Sequence, residues 1–279
     1  MPRPQLPDPR RIGHDLADER FATHLTERVE RLSPKLAELL DKVLRVIGPW
    51  TGLIITLFIG GLIVAAGLEL FEDTWEWVRE STGTATIDQE IHAAAVEART
   101  PALTAVLTVI TELAGKVGMP IVGVVLAVAL SWAARSWRPL LLTAIAGLGS
   151  LLLTLVSKNA AGRDRPPHAD ALPPFETSPS FPSGHTLNAT AILLVVAYCA
   201  VLQFDRTVTK VLAVAGLLAF VVLVGVSRIY LGHHWFSDVG AALALGVAWA
   251  AVVMLGHQVF SVVRSRRREL AAENGAEER

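Results

Sequence analysis

Six apolar runs, most of them close to the length that spans a bilayer, constrain the fold of this chain more than any other feature. An α-helix needs about 20 predominantly apolar residues to cross the hydrocarbon core of a membrane. Hydrophobic residues make up 52% of the chain and charged residues 18%, a balance typical of a protein with several membrane spans. The sequence therefore predicts an all-α integral membrane bundle with six transmembrane helices, over residues 51–70, 119–132, 140–156, 186–202, 211–226 and 239–255.

Two further helices are predicted outside these spans. Within residues 33–47, apolar residues recur at helical spacing and charged residues occupy the opposite face. We interpret this segment as an amphipathic helix that lies on the membrane surface or packs on a cytoplasmic face of the protein. Residues 101–118 are apolar but interrupted by Glu112 and Lys116, an i,i+4 pair, which favours a short or partly inserted helix.

The distribution of arginine and lysine predicts the orientation of the bundle. Six spans place both termini on one side of the membrane, and the turns on that side carry Arg135, Arg138, Arg206 and Lys210. The positive-inside rule makes this side cytoplasmic. We therefore expect a multi-pass protein of the cytoplasmic membrane, with a polar region over residues 1–48, a membrane domain over 49–258 and a polar cytoplasmic tail over 259–279.

Charge and the placement of ionisable residues argue against two kinds of function. A net charge of −1 argues against a nucleic-acid partner, because binding to a phosphate backbone needs a concentrated basic surface. The single cysteine, Cys199, allows no intramolecular disulfide. Few ionisable residues lie within the predicted spans, whereas a transporter would place them near the bilayer midplane. A homo-oligomer is compatible with the sequence.

Ionisable residues concentrate at span ends on the predicted extracytoplasmic side. Residues 227–238 lie between two apolar runs and contain Arg228, His233, His234 and Asp238, which would be costly in hydrocarbon and are functional candidates. Other polar groups on this side are predicted to be solvated, either on a helix face (Asp88, Glu90, His92 and Glu97) or in a loop (His168, Asp170 and Glu176).

Three polar segments on this side have a recognisable order. They contain Lys158 with Arg165–Pro166, then residues 182–185 with the sequence Pro-Ser-Gly-His, then Ser227–Arg228 with His234 and Asp238. The segments resemble the signature motifs of the type 2 phosphatidic acid phosphatase (PAP2) superfamily, which read Lys-x6-Arg-Pro, Pro-Ser-Gly-His and Ser-Arg-x5-His-x3-Asp. The resemblance covers residues 140–255, and its spacing selects His234 rather than the adjacent His233.

The chemistry of these side chains agrees with a phosphate site. Lys158, Arg165 and Arg228 supply charge-assisted hydrogen-bond donors, and the arginines have the planar fork that matches two phosphate oxygens. Ser183 and Gly184 open a predicted helix, whose free N–H groups and dipole favour an anion. These groups would stabilise the charge on a transferring phosphoryl group.

His234 is then the predicted nucleophile, which attacks phosphorus as a neutral imidazole and forms a phosphohistidine. Asp238 fixes its tautomer, and His185 serves as general acid and then as general base. This scheme needs no metal and no cofactor. The alternative is zinc bound by His185, either His233 or His234, and Asp238, although three cationic residues beside a dication oppose it electrostatically.

The resemblance implies that the protein removes phosphate from a membrane lipid. Phosphatidic acid, phosphatidylglycerol phosphate and an isoprenyl diphosphate such as undecaprenyl diphosphate are the implied candidate substrates, and a site at the membrane favours a lipid because the bilayer delivers it. Two other functions stay open. One is a vanadate-dependent haloperoxidase, a class that the superfamily includes, and the other is a non-enzymatic protein that binds or transports lipid.

Overall fold

The computed structural model describes residues 50–80 and 84–277, and this part of the chain contains helices and no β-strand. The all-α prediction is therefore confirmed. The predicted amphipathic helix over residues 33–47 lies outside the described residues. The helices are α1 (Thr51–Glu80), α2 (Thr84–Glu97), α3 (Pro101–Leu113), α4 (Gly118–Ala134), α5 (Arg138–Ala161), α6 (Gly184–Gln203), α7 (Thr207–Tyr230) and α8 (Phe236–Glu277), with a 3-10 turn at His168–Asp170.

The spans agree with the prediction except in the second. Helices α1, α5, α6, α7 and α8 are each long and apolar enough to cross a membrane. Helices α3 and α4 together provide a sixth candidate span, but the chain bends by 65° between them. Large apolar side chains cover the outer surface of the described helices, as expected for a surface that faces lipid, and include Leu148, Leu152, Leu212 and Val222.

The bend between α3 and α4 changes the environment of Lys116. A side chain on Gly118 would overlap the carbonyl groups of Glu112 and Leu113, so glycine permits this close turn of the backbone. Lys116 lies in the break, beyond the end of α3, and its ammonium group is 3.5 Å from the carboxylate of Glu176. The prediction that Glu112 and Lys116 lie side by side on one helix is therefore wrong, because the helix ends at Leu113.

Helix α6 is the central helix of the compact unit formed by the residues from Ile59 onward. One of its faces packs against α4 and α7 through Ile192, Leu193 and Val196. Another packs against α5 and α8 through Val195 and Cys199. Because α6 is surrounded by helices, its N-terminal end is held in a fixed position, and that end carries one of the three motifs.

Small residues allow the helices to approach closely, a common feature of membrane bundles. Gly246 of α8 lies against Thr190 of α6, and Gly123 of α4 lies against Ile192 of α6. Helix α8 continues without interruption to Glu277. The segment beyond residue 258, which was predicted as a polar tail, is thus helical as far as the structure describes it.

The contact between α6 and α8 can be tested with two glycine variants on one helix. A Cβ atom at position 246 would lie 2.7 Å from the Cβ of Thr190, so Gly246→Ala should lower the free energy of unfolding in detergent by about 1–3 kcal/mol. Gly256→Ala is the matched control, because no atom lies within 4 Å of its added Cβ, and alanine favours a helix. Equal unfolding midpoints for the two variants would contradict this packing.

Candidate active site

The three sequence motifs meet where four helix ends come together. Lys158 lies in the last turn of α5, and Arg228 lies in the last turn of α7. His185 lies in the first turn of α6, and Asp238 in the first turn of α8. We call this end of the bundle the site end. Two helix N-termini point into it, which favours a negatively charged ligand.

A tight turn between α7 and α8 positions the histidine pair. Gly232 has a φ of 76°, in the left-handed region that favours glycine, and a Cβ there would come 2.6 Å from the carbonyl oxygen of Asp170. The backbone N–H groups of His233 and His234 both donate to the carbonyl oxygen of Arg228, at 3.0 and 3.2 Å. The turn therefore folds His234 back toward the end of α7.

The buried imidazole of His234 lies between a carboxylate and a guanidinium. Its Nδ1 is 3.3 Å from Oδ2 of Asp238, and its Nε2 is 3.3 Å from Nη1 of Arg165. A guanidinium can only donate hydrogen bonds, so Nε2 must be the acceptor and the proton must lie on Nδ1. This tautomer leaves the lone pair of Nε2 facing Arg165, which together with Lys158 and Arg228 forms what we call the cationic pocket.

The surroundings of His234 also keep its imidazole neutral. Burial lowers the pKa of His234 well below its usual value, and the charges of Arg228 and Arg165 lower it further. A neutral imidazole retains its lone pair at neutral pH, which nucleophilic attack requires.

The adjacent His233 is also neutral, because burial and the charge of Arg228 lower its pKa to about 4. Its Nε2 is 2.6 Å from the carbonyl oxygen of Leu172, so the ring of His233 contacts the loop between α5 and α6.

Asp238 is fully buried and fixed by several donors. Its Oδ1 accepts from Nη1 of Arg163 at 2.5 Å. Its Oδ2 accepts from the hydroxyl of Ser180 and, at 2.9 Å, from the backbone N–H of Trp235. The bond from Trp235 caps the first turn of α8, as acidic residues near helix N-termini commonly do. The carboxylate that contacts His234 therefore cannot rotate without breaking other hydrogen bonds.

Lys158 and Arg165 are held by backbone carbonyl groups of the loop between α5 and α6 and of the turn between α7 and α8. The ammonium group of Lys158 donates to the carbonyl oxygen of Pro179. Nε of Arg165 donates to the carbonyl oxygen of Ser178 at 2.8 Å, and its Nη1 donates to that of His233 at 2.5 Å. These neutral acceptors orient the two cations without cancelling their charge, so both remain available to an anion.

Arg228 is the most deeply buried cation at this end, with an exposed fraction of 0%. Its Nη1 donates to the hydroxyl of Thr111 at 2.7 Å, and its Nη2 is 3.3 Å from Glu176. Its Nε has no hydrogen-bond partner among the described residues. A buried guanidinium with an unused donor has further capacity to bind an acidic ligand.

The N-terminus of α6 supplies backbone donors. The first intrahelical hydrogen bond runs from the N–H of Leu187 to the carbonyl of Ser183, so the N–H groups before Leu187 have no intrahelical acceptor. A Cβ at Gly184 would lie 3.0 Å from Thr154, so glycine allows the close approach of α5. The other two polar groups of Ser183 are also engaged, its N–H with the carbonyl of Asp238 at 3.1 Å and its hydroxyl with Thr186 at 3.0 Å.

Glu176 lies against this site, and the prediction that it is solvated is wrong. Its side chain is 13% exposed, and its Oε1 is 3.3 Å from Arg228 and 3.8 Å from Nε2 of His185. Burial would raise the pKa of the Glu176 carboxyl, but the charges of Arg228 and Lys116 outweigh burial and hold the pKa below its usual value. Glu176 is therefore an ionised carboxylate among the cations.

Asp88 and His92 are also buried, in contrast to the predicted solvated helix face. Asp88 accepts from Nη2 of Arg163 at 2.7 Å, and Nε2 of His92 is 3.2 Å from the carboxylate of Asp170. Arg163 was not among the predicted site residues, although it lies inside the Lys-x6-Arg-Pro segment. The sequence around Asp88 contains no motif that could have indicated its partners.

Fold and site together define a helical membrane protein with a cationic pocket beside a buried, oriented histidine. The family model described as the PAP2 superfamily matches residues 136–261. A relative from Bacillus subtilis (strain 168), phosphatidylglycerophosphatase B, is 34% identical over 197 residues, which are 69% of this chain and 89% of the relative. The chain therefore belongs to the PAP2 superfamily, as a membrane phosphatase.

A solved structure supports the same assignment. It is the crystal structure described as the first transmembrane PAP2-type phosphatidylglycerolphosphate phosphatase, also from Bacillus subtilis. It aligns with a TM-score of 0.62 and 30% identity, covering 69% of this chain and 96% of the solved chain. The resemblance predicted from the motifs is thus confirmed at the level of family and fold.

The carboxylate of Glu176 should weaken the binding of anions to this pocket. Removal of its charge by Glu176→Gln is expected to tighten the binding of inorganic phosphate by about tenfold, because a like charge near the ligand is lost. Inhibition by phosphate of the purified protein measures this effect. Asp164→Asn, a change of an exposed acid on the same loop, should leave the inhibition constant unchanged. Equal inhibition constants for Glu176→Gln and the wild type would contradict the placement of Glu176 beside the anion site.

Proposed function

We propose that this protein is an integral membrane phosphatase that hydrolyses a lipid phosphate or an isoprenyl diphosphate through a phosphohistidine on His234. The observation that carries the proposal is the arrangement around His234. Asp238 contacts Nδ1, and the donor-only guanidinium of Arg165 lies 3.3 Å from Nε2. The nucleophilic nitrogen thus faces a group that binds phosphate oxygens.

In the first step, the lone pair of Nε2 attacks phosphorus and the bond from phosphorus to the leaving oxygen breaks. His185 donates a proton to the leaving oxygen, which departs as an alcohol or as a shorter phosphate. Asp238 keeps the proton of His234 on Nδ1 and stabilises the positive charge that develops on the imidazole. The product of this step is a phosphohistidine.

Charge on the transferring phosphoryl group is the main quantity that the protein must stabilise. Lys158, Arg165 and Arg228 supply three cations, and Gly184 with its helix start supplies backbone N–H groups. These donors are fixed before the substrate arrives, so little reorganisation is needed in the transition state. Ser183 contributes by joining the start of α6 to Asp238 through its N–H group.

In the second step, His185 removes a proton from a water molecule, whose oxygen attacks phosphorus. The nitrogen–phosphorus bond breaks, and its electron pair returns to Nε2. Inorganic phosphate leaves, and both histidines regain their starting states. No metal takes part in this scheme. Zinc bound through His234 is disfavoured because both ring nitrogens of His234 already have partners, one of them cationic.

A lipid is the proposed substrate because the pocket lies at the ends of helices that span a membrane. The name of the Bacillus relative favours phosphatidylglycerol phosphate, and phosphatidic acid and undecaprenyl diphosphate are the other candidates. Arg138 begins α5, at the end of that helix opposite the site end, and Arg135 lies in the turn just before it. This placement supports a site on the extracytoplasmic face of the cytoplasmic membrane, with the termini in the cytoplasm.

Phosphate release by the detergent-purified protein tests the proposal. A panel of the three candidate lipids, each with and without EDTA, should show release that EDTA does not reduce. His234→Ala should lower the rate by at least about a thousandfold, because the nucleophile is lost. His168→Ala, a change of an exposed histidine, should stay near the wild-type rate.

Two results would overturn parts of this account. Equal release by the wild type and His234→Ala would refute the mechanism. Loss of activity in EDTA, restored by zinc, would refute metal independence and favour the metal alternative.

A further inference from the structure

Asp88 is a buried carboxylate that lies outside the segment matched by the family model. It lies on α2 and is 2% exposed, and its partners come from other parts of the chain. Its Oδ1 accepts from the backbone N–H of Ser237 at 2.9 Å. Its Oδ2 accepts from the hydroxyl of Ser237 at 2.6 Å and from Nη2 of Arg163 at 2.7 Å. A buried charge is costly unless it is paired and hydrogen-bonded, and here it is both.

Arg163 is shared between two carboxylates. Its Nη2 donates to Asp88 at 2.7 Å, while its Nη1 donates to Oδ1 of Asp238 at 2.5 Å and to the hydroxyl of Ser237 at 2.8 Å. The ring of Trp235 lies against the guanidinium, with its centroid 5.7 Å from Cζ. The guanidinium is therefore fixed in one orientation, with one amino group for each carboxylate.

It matters that Arg163 gives only one of its amino groups to Asp238, because the two oxygens of Asp238 have different partners. Oδ1 is bound to Arg163, whereas Oδ2 contacts Nδ1 of His234. Without a second carboxylate, an arginine favours a bidentate pair, in which each of its two amino groups binds one oxygen of the same carboxylate. Such a pair would add a fourth contact to Oδ2, which already accepts from Ser180 and from the N–H of Trp235, and would therefore compete with His234 for that oxygen.

We propose that Asp88 is a positioning residue for the phosphatase reaction: by holding one amino group of Arg163, it reserves Oδ2 of Asp238 for His234. This inference rests on the proposed function of His234. Asp88 touches no reacting atom and acts only through Arg163 and Asp238. It extends the machinery of the site to α2, a helix in which the sequence contains no motif.

A purely structural role would also follow from the contacts of Asp88, because its bond to the N–H of Ser237 caps α8. The two roles predict different results in a double-mutant cycle. Asp88→Asn retains an acceptor for the cap but loses the charge that holds Arg163. Arg163→Lys retains a cation but cannot bridge two carboxylates, because an ammonium group lacks the planar fork.

The experiment measures kcat and KM of four proteins, namely the wild type, Asp88→Asn, Arg163→Lys and the double variant, on the best lipid of the panel. Asp88→Asn should lower kcat by about tenfold with KM changed less than about twofold, and the double variant should be no slower than Arg163→Lys alone. Glu90→Gln, an exposed acid-to-amide change on the same helix, is the matched control and should match the wild type.

Two outcomes would overturn the inference. One is a wild-type kcat for Asp88→Asn. The other is a loss that multiplies in the double variant, because Asp88 would then act independently of Arg163. Failure of the proposed function looks different, since it would appear as equal rates for the wild type and His234→Ala, whatever the rates of the Asp88 variants.

Discussion

The rest of the site depends on the hydrogen bonds of one buried carboxylate, that of Asp238. It accepts hydrogen bonds from the loop after α5 through Arg163 and Ser180, and from the start of α8 through the N–H of Trp235. It also contacts Nδ1 of His234. This side chain therefore links the first and third motifs, which are distant in sequence, and the backbone carbonyl of the same residue accepts from the N–H of Ser183 in the second. The energetic cost of its burial is offset only while these donors stay in place.

Charge balance explains how so many cations can lie together at the end of a membrane bundle. Arg163 is paired with two carboxylates, and Glu176 lies between Arg228 and Lys116. Arg165, in contrast, is oriented by neutral carbonyl groups and keeps its charge for a ligand. Carboxylates thus fix the scaffold, while the pocket beside the neutral His234 remains cationic and suited to a phosphate.

The sequence predicted the parts of this protein that depend on local pattern. Apolar runs predicted the spans, because hydrocarbon admits few alternatives to a helix. The order and spacing of the motifs predicted that Lys158, His185 and His234 lie on one face of the membrane, at or near the ends of spans. Asp88 and Glu176 were misjudged as solvated, because their partners lie 149 and 52 residues away in the chain. Lys116 was misplaced because a break governed by the close packing of Gly118 overrode a helical pattern.

The proposed mechanism requires a covalent bond between phosphorus and Nε2 of His234. Rapid acid-free quenching during turnover of a labelled lipid phosphate, followed by digestion and mass spectrometry, measures it directly. His185→Ala should help the intermediate to accumulate when the substrate has a good leaving group, because that variant lacks the base for the second step. We expect labelled phosphate on His234, in an acid-labile and alkali-stable linkage. Label on a different residue would contradict the phosphohistidine mechanism. Turnover without label on either the wild type or His185→Ala would contradict it as well.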